Sequence, residues 1–163
     1  MPLRFTLIQL AAAPATIDAV DPGADWTVLG VAEDEALWLG APDAGVDPAV
    51  ERAVLELEPG ACVCDVTDGW SGVLLRGPRR HEIFAAISPL RIAEPASAVA
   101  LLQGDVLGLP AKIVVLPDAI AVLYPATAEW YVRESLRDVG VASRAGPADW
   151  NAAFTASDER LVG

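Results

Sequence analysis

Residues 65–92 (DVTDGWSGVLLRGPRRHEIFAAISPLRI) constrain the fold more than any other stretch of the chain. They read as a strand end, a tight turn, a second strand, a Gly-Pro corner and an amphipathic helix. Asp68-Gly69 is a hairpin signal, because both residues tolerate positive φ. Gly77-Pro78 turns the chain out of the second strand, and Ile83, Phe84 and Ile87 then recur on one helical face. Ser88-Pro89 closes the helix, since the residue before proline avoids the α region. A chain that switches period from two to 3.6 within so few residues must place a helix back on its own strands.

The same alternation runs through the rest of the sequence. Residues 26–31 (WTVLGV) and 36–40 (ALWLG) predict two strands joined by the acidic loop Glu33-Asp34-Glu35. Asp47-Pro48 predicts a helix start, with Asp as N-cap and Pro at the first helical position. Val50, Val54 and Leu57 follow at i, i+4 and i+7 as its buried stripe, and Pro59-Gly60 ends it. Residues 61–66 (ACVCDV) read as a strand apolar on both faces, which predicts a central place in a sheet. Residues 98–106, 111–116 and 119–124 predict a meander turning at Gly108/Pro110 and at Pro117-Asp118. A last helix spans about 127–139, with Ala128, Val132, Leu136 and Val139 inward, Glu129 and Arg133 paired outside and Gly140 as its cap.

The resulting order is ββα-ββα-βββα. It predicts an α+β fold of antiparallel or mixed sheets with helices packed on one face. We read one domain over residues 1–163: an N-terminal arm or short strand with a loop (1–25), a core (26–140) and an irregular tail (141–163) carrying Trp150 and Phe154 as anchors. At 163 residues and 53% hydrophobic content, the chain is long and apolar enough to build a sizeable core.

Charge narrows the partners. A formal net charge of -12 repels phosphate backbones and anionic lipid surfaces, so neither nucleic acid nor membrane is expected as a partner. No apolar run approaches the roughly 18 residues of a spanning helix. Arg4 before residues 5–13 (FTLIQLAAA) outlines a signal peptide, but one Arg is a poor basic region and Thr6 and Gln9 interrupt the apolar run. A cytoplasmic location is expected. The two cysteines, Cys62 and Cys64, sit on one face of a strand and are too close to bridge. They read as buried free thiols in a reducing compartment.

Few residues carry chemistry. Asp65 and Asp68 stand close together, which suits either acid–base work or turn formation, the latter being the usual reason for Asp at such positions. Arg76, Arg79, Arg80 and His81 make a basic cluster in an acidic chain, at a helix start where a carboxylate could bind. His81 is the only histidine, with no serine or cysteine partner in a recognisable motif. We assign no catalytic residue and no metal ligand. Trp38 and Trp130 fall on apolar stripes and are expected in the core, whereas Trp70, beside a turn, and Trp150 are candidate interface residues. Lys112, the only lysine, reads as a solvent-facing residue at a strand start.

Three segments carry a family resemblance. ALWLGAPDA, ACVCDVTDGWSGVLLRGP and LLQGDVLGLPAKIVVLPDAIAVLYPATAEWYVRESL occur in the order found in the sarcosine oxidase gamma subunit family, over residues 36–139. The chain resembles that family, whose fold is like the folate-binding domain of aminomethyltransferases. The resemblance implies a non-catalytic subunit of a heterotetrameric, flavin-dependent secondary-amine oxidase. It implies that this chain binds no cofactor itself and that FAD, FMN, NAD and tetrahydrofolate belong to larger alpha- and beta-like flavoprotein subunits. The alternative is a stand-alone tetrahydrofolate-binding or aminomethyltransferase-like protein, using Asp65 or Asp68 with Arg76 or Arg79.

Overall fold

The computed structural model describes residues 2–92, 99–139 and 148–149. Among these residues the fold is α+β, with two sheets and four α-helices. The chain forms two compact units, one of Phe5–Thr67 and one of Met1–Arg4 with Asp68–Gly163.

The unit of Phe5–Thr67 is built on a four-stranded antiparallel sheet. Its strands are β2 (Thr6–Ala11), β3 (Thr27–Ala32), β4 (Glu35–Gly40) and β5 (Cys62–Asp65), in the order β3-β4-β2-β5. β3 and β4 form the expected hairpin around Glu33 and Asp34, with Val28 opposite Trp38. Two helices, α1 (Pro14–Ala19) and α2 (Pro48–Leu57), supply apolar side chains to one cluster with the sheet. Ile8, Leu10, Ala36, Trp38 and Val54 are its buried centre. α2 begins as its sequence dictates: the Asp47 carboxylate accepts the Ala49 N–H at 2.7 Å, and Pro48 follows.

Several expectations for this unit need correction. Thr6–Ala11 is β2, a strand paired on both sides, with β4 and with β5. The arm and loop expected over 1–25 hold two strands and a helix, because the apolar residues of 6–11 find partners far along the chain. β5 lies at a sheet edge and not at its centre. Cys62 and Cys64 are exposed free thiols, since the alternation of an edge strand turns Val63 toward the apolar cluster and both cysteines outward. In α2, Val54 is fully buried and Val50 packs beside it, but Leu57 is exposed. It closes the helix beyond the reach of the cluster.

The other unit carries a six-stranded sheet. Its strands are β1 (Pro2–Arg4), β6 (Trp70–Arg76), β7 (Ala100–Val106), β8 (Leu109–Val115), β9 (Ala119–Pro125) and β10 (Ala148–Asp149). The order is β10-β1-β6-β9-β8-β7, antiparallel throughout except for the parallel pair β1 and β10. The predicted meander is β7-β8-β9. Two helices, α3 (Arg80–Ile87) and α4 (Glu129–Asp138), cover one face of this sheet. The residues they meet alternate along each strand: Val73 and Leu75, Ala111, Ile113 and Val115, Ile120, Val122 and Tyr124. Phe84 and Ile87 of α3 and Val132 and Leu136 of α4 complete the core.

The Asp68-Gly69 hairpin does not form. Residues Thr67–Gly69 make a 3-10 turn, neither Asp68 nor Gly69 has positive φ, and β5 and β6 belong to different sheets. β6 pairs instead with β9 along its full length, Trp70 opposite Pro125 through Arg76 opposite Ala119. The seven-residue register with β9 offers more paired backbone than the four residues of β5 could. The second ββα is thus a sequence of elements without a shared ladder.

Trp130 is the other correction. It is 76% exposed, not core, and Tyr131 beside it is 46% exposed. The stripe of Val132 and Leu136 lies two residues away, and two residues on a helix are about 200° apart. The Gly140 cap, the tail over 141–163, Trp150 and Phe154 lie outside the described residues, β10 apart.

Tyr124 gives this core a pH signature. Burial, then the Glu129 carboxylate, push its phenol up to about 12 from 10, with Arg133 acting in the opposite sense. The raised value means the folded state holds the proton more tightly, so the stabilisation is complete below pH 10 and lost as pH rises toward about 12. We expect the wild-type protein to lose on the order of 2 kcal/mol more than Tyr124→Phe across that interval. Urea midpoints of both proteins, measured at matched pH values on either side of it, check this; parallel curves would contradict it.

Candidate functional site

Most of the residues singled out from the sequence serve local structure. Asp65, exposed at the end of β5, accepts the Thr67 N–H at 2.9 Å through its Oδ1. This is the side-chain turn expected of Asp before a change of direction. Thr67 in turn anchors β2: its Oγ1 accepts the Leu7 N–H at 2.8 Å, and the Val66 N–H donates to the Leu7 carbonyl at 2.9 Å. Asp68, also exposed, belongs to the other compact unit.

The basic cluster is spread along a strand end and a short helix. Arg76 is the exposed last residue of β6. Arg79 is the N-cap residue of α3 and makes a two-pronged bond to Glu82, Nε to Oε2 and Nη2 to Oε1, each at 2.8 Å. The hydrogen bond first, and the opposite charge second, hold the Glu82 carboxyl below its ordinary range and raise the Arg79 guanidinium. An anion that used the same edge of the Arg79 guanidinium would compete with Glu82. Arg80 points its guanidinium at backbone carbonyls, Nη1 to Gly77 at 3.4 Å and Nη2 to Pro117 at 3.3 Å. That ties the corner before α3 to the turn between β8 and β9. His81 follows as the second residue of α3, partly buried. Among the described residues no group of three or more His, Cys, Asp or Glu side chains is placed to hold a metal ion.

A different set of residues comes together around Trp70. It opens β6 on the sheet face opposite α3 and α4, as its spacing from Val73 and Leu75 requires. Lys112, in the middle of β8, points to the same face, and its Nζ lies 5.5 Å from the centroid of the Trp70 ring. The same Nζ donates to Gln103 Oε1 at 3.2 Å, across the register pair Gln103–Lys112. Lys112 thus lies in mid-strand and not at the strand start expected; its side chain is partly buried and its exposed ammonium rests over an aromatic face.

These side chains border an open groove of about 430 Å³, whose lining also includes Asp105, Gly108 and Pro110. Its wall is the β7–β8 turn, where Leu107 and Gly108 both have positive φ, 56° and 77°. Such a backbone suits Gly108 and strains Leu107. Hydrogen bonds from three directions hold the turn in place. The Leu107 N–H donates to the Ile87 carbonyl at 2.7 Å, the Tyr131 hydroxyl to the Leu107 carbonyl at 3.1 Å, and the Gly108 N–H to Asp105 Oδ1 at 2.9 Å. Sequence reasoning placed Trp70 correctly beside a turn but missed the groove. The signal within reach was register: once β7 and β8 pair around Leu107–Gly108, Gln103, Asp105 and Lys112 must share a face.

No protein-family model matches the chain, and no curated protein matches it. Among solved structures it is similar to a chain of the heterotetrameric sarcosine oxidase from Corynebacterium sp. U-96, determined in complex with pyrrole 2-carboxylate. The likeness has a TM-score of 0.63 and 15% sequence identity, and it spans 88% of this chain and 85% of that one. At so low an identity the likeness concerns the path of the backbone. The two-sheet α+β fold described above is thus one that a subunit of a heterotetrameric oxidase also adopts.

Proposed function

We propose that this chain is the small, non-catalytic, gamma-like subunit of a flavin-dependent complex that oxidises secondary amines, of the sarcosine oxidase type. The observation that carries the reading is the fold likeness over most of both chains to a subunit of that heterotetramer. The order of the three resembling segments over residues 36–139 supports it independently. In this reading the fold is that of the aminomethyltransferase folate-binding domain. Larger alpha- and beta-like flavoprotein subunits are the partners and hold FAD, FMN, NAD and tetrahydrofolate, and the assembly is cytoplasmic. No helix among the described residues is long and apolar enough to cross a membrane.

Co-expression with alpha- and beta-like flavoprotein subunits tests the proposal. The expected result is a yellow complex that contains this chain in fixed proportion and oxidises a secondary amine, while the isolated chain oxidises none. Elution of this chain apart from the flavoprotein, with the activity wholly in the other fraction, would refute it. Trp130 is the side chain we expect the larger subunits to cover, since large exposed aromatics dominate binding energy when buried by a partner. Trp130→Ala should weaken assembly by roughly tenfold or more, with little effect on folding, because the side chain lies outside the core.

A further inference from the structure

The groove beside Trp70 has features that turn formation and core packing do not require. It holds the chain's only lysine, in a protein of net charge -12. A long, hydrated cation would lie freely in solvent, yet this one is held over an indole face and against Gln103. The groove wall is a strained turn fixed by bonds from Ile87, Tyr131 and Asp105. Strain of this kind persists where surrounding structure over-determines it, and it collects at binding sites.

We propose that this groove binds a small planar carboxylate, with the ring against Trp70 and Pro110 and the carboxylate on the Lys112 ammonium. An ammonium has three N–H donors, and among the described residues Gln103 takes one. Among the described residues Lys112 is the one cation lining the groove and Asp105 lines it too, so a monoanion is tolerated better than a dianion such as phosphate. Flatness follows from the wall: an aromatic face offers stacking to a planar ring and little to a branched chain. The volume of about 430 Å³ admits a molecule of one or two rings. The site lies entirely within one compact unit and does not depend on the subunit reading.

Benzoate is the probe, with benzamide and inorganic phosphate as comparators, followed by the indole N–H of Trp70 and the backbone amides of Gly104 and Gly108 in heteronuclear NMR. Benzoate should shift these signals saturably, with a dissociation constant on the order of 1 mM. Benzamide and phosphate should bind roughly tenfold more weakly or worse, since the first lacks the charge and the second the ring. Lys112→Met should weaken benzoate binding by a similar factor while the other amide signals stay in place. The comparison of the three probes needs only the wild-type protein, so a variant that misfolds does not remove the test. Shifts that never saturate, shifts that map elsewhere, phosphate binding as tight as benzoate, or a well-folded Lys112→Met that binds benzoate unchanged would each overturn the proposal.

Discussion

Trp38→Ala should lower the free energy of unfolding by about 3–5 kcal/mol. Trp38 is among the largest fully buried side chains, 1% exposed in the middle of β4. It stands opposite Ile8 on one side and Val28 on the other. Its ring belongs to the cluster of Ile8, Leu10, Ala36 and Val54, against which Ile17 of α1 and Val50 of α2 also pack. Alanine leaves the transfer energy of the ring unrealised and opens a cavity that paired strands cannot collapse to fill. Domains are stable by only about 5–15 kcal/mol, so the loss is a large share of the total. Trp38→Phe keeps most of the volume and should lose roughly 1–2 kcal/mol. Far-UV circular dichroism in urea is the suitable readout, because the mutation removes a fluorophore. A loss below about 1 kcal/mol for Trp38→Ala would mean that the ring is not at the centre of this unit.

Gly40→Val should destabilise the protein by about 1–3 kcal/mol through crowding alone. Valine ordinarily favours a strand over glycine, so propensity predicts the opposite sign. A Cβ at Gly40 would lie 2.8 Å from both Cε3 and Cζ3 of Trp26. These are atoms of a rigid fused ring that itself packs against the Trp38 cluster, so no rotation of a flexible end relieves the overlap. The double variant Trp26→Ala/Gly40→Val separates the two effects. If the clash is the cause, valine should cost little or even stabilise once the ring is gone, a coupling of about 1–3 kcal/mol between neighbours. Additive losses would place the cause in the backbone of β4 instead.

Much of the local structure was legible because it depends on residues close in sequence. Asp47-Pro48 starts a helix wherever that helix packs, since capping and the fixed φ of proline act within one turn. The β3–β4 hairpin and the β7–β8–β9 meander follow from apolar runs separated by short polar turns. The Asp65 turn is equally local, its carboxylate accepting the N–H two residues on. The errors arose where partners are remote. Asp68-Gly69 marks a change of direction but not which strand follows as neighbour. β5 turned to β2 and β6 to β9. The same gap hid the groove, because Trp70, Gln103 and Lys112 are distant until three strands are in register. Trp130 departs from expectation for a simpler reason: its spacing from Val132 and Leu136 puts it on the far side of the helix.

The amino-acid order alone determined where strands, helices and turns occur and that they alternate as an α+β chain, because capping, proline geometry and hydrophobic period act over a few residues. Tertiary structure alone decided which strands share a sheet, which cysteines and aromatics face outward, and that a lone lysine lies over an indole beside a strained turn. Those outcomes depend on long-range strand pairing, where each added residue of register aligns groups that the chain itself keeps far apart.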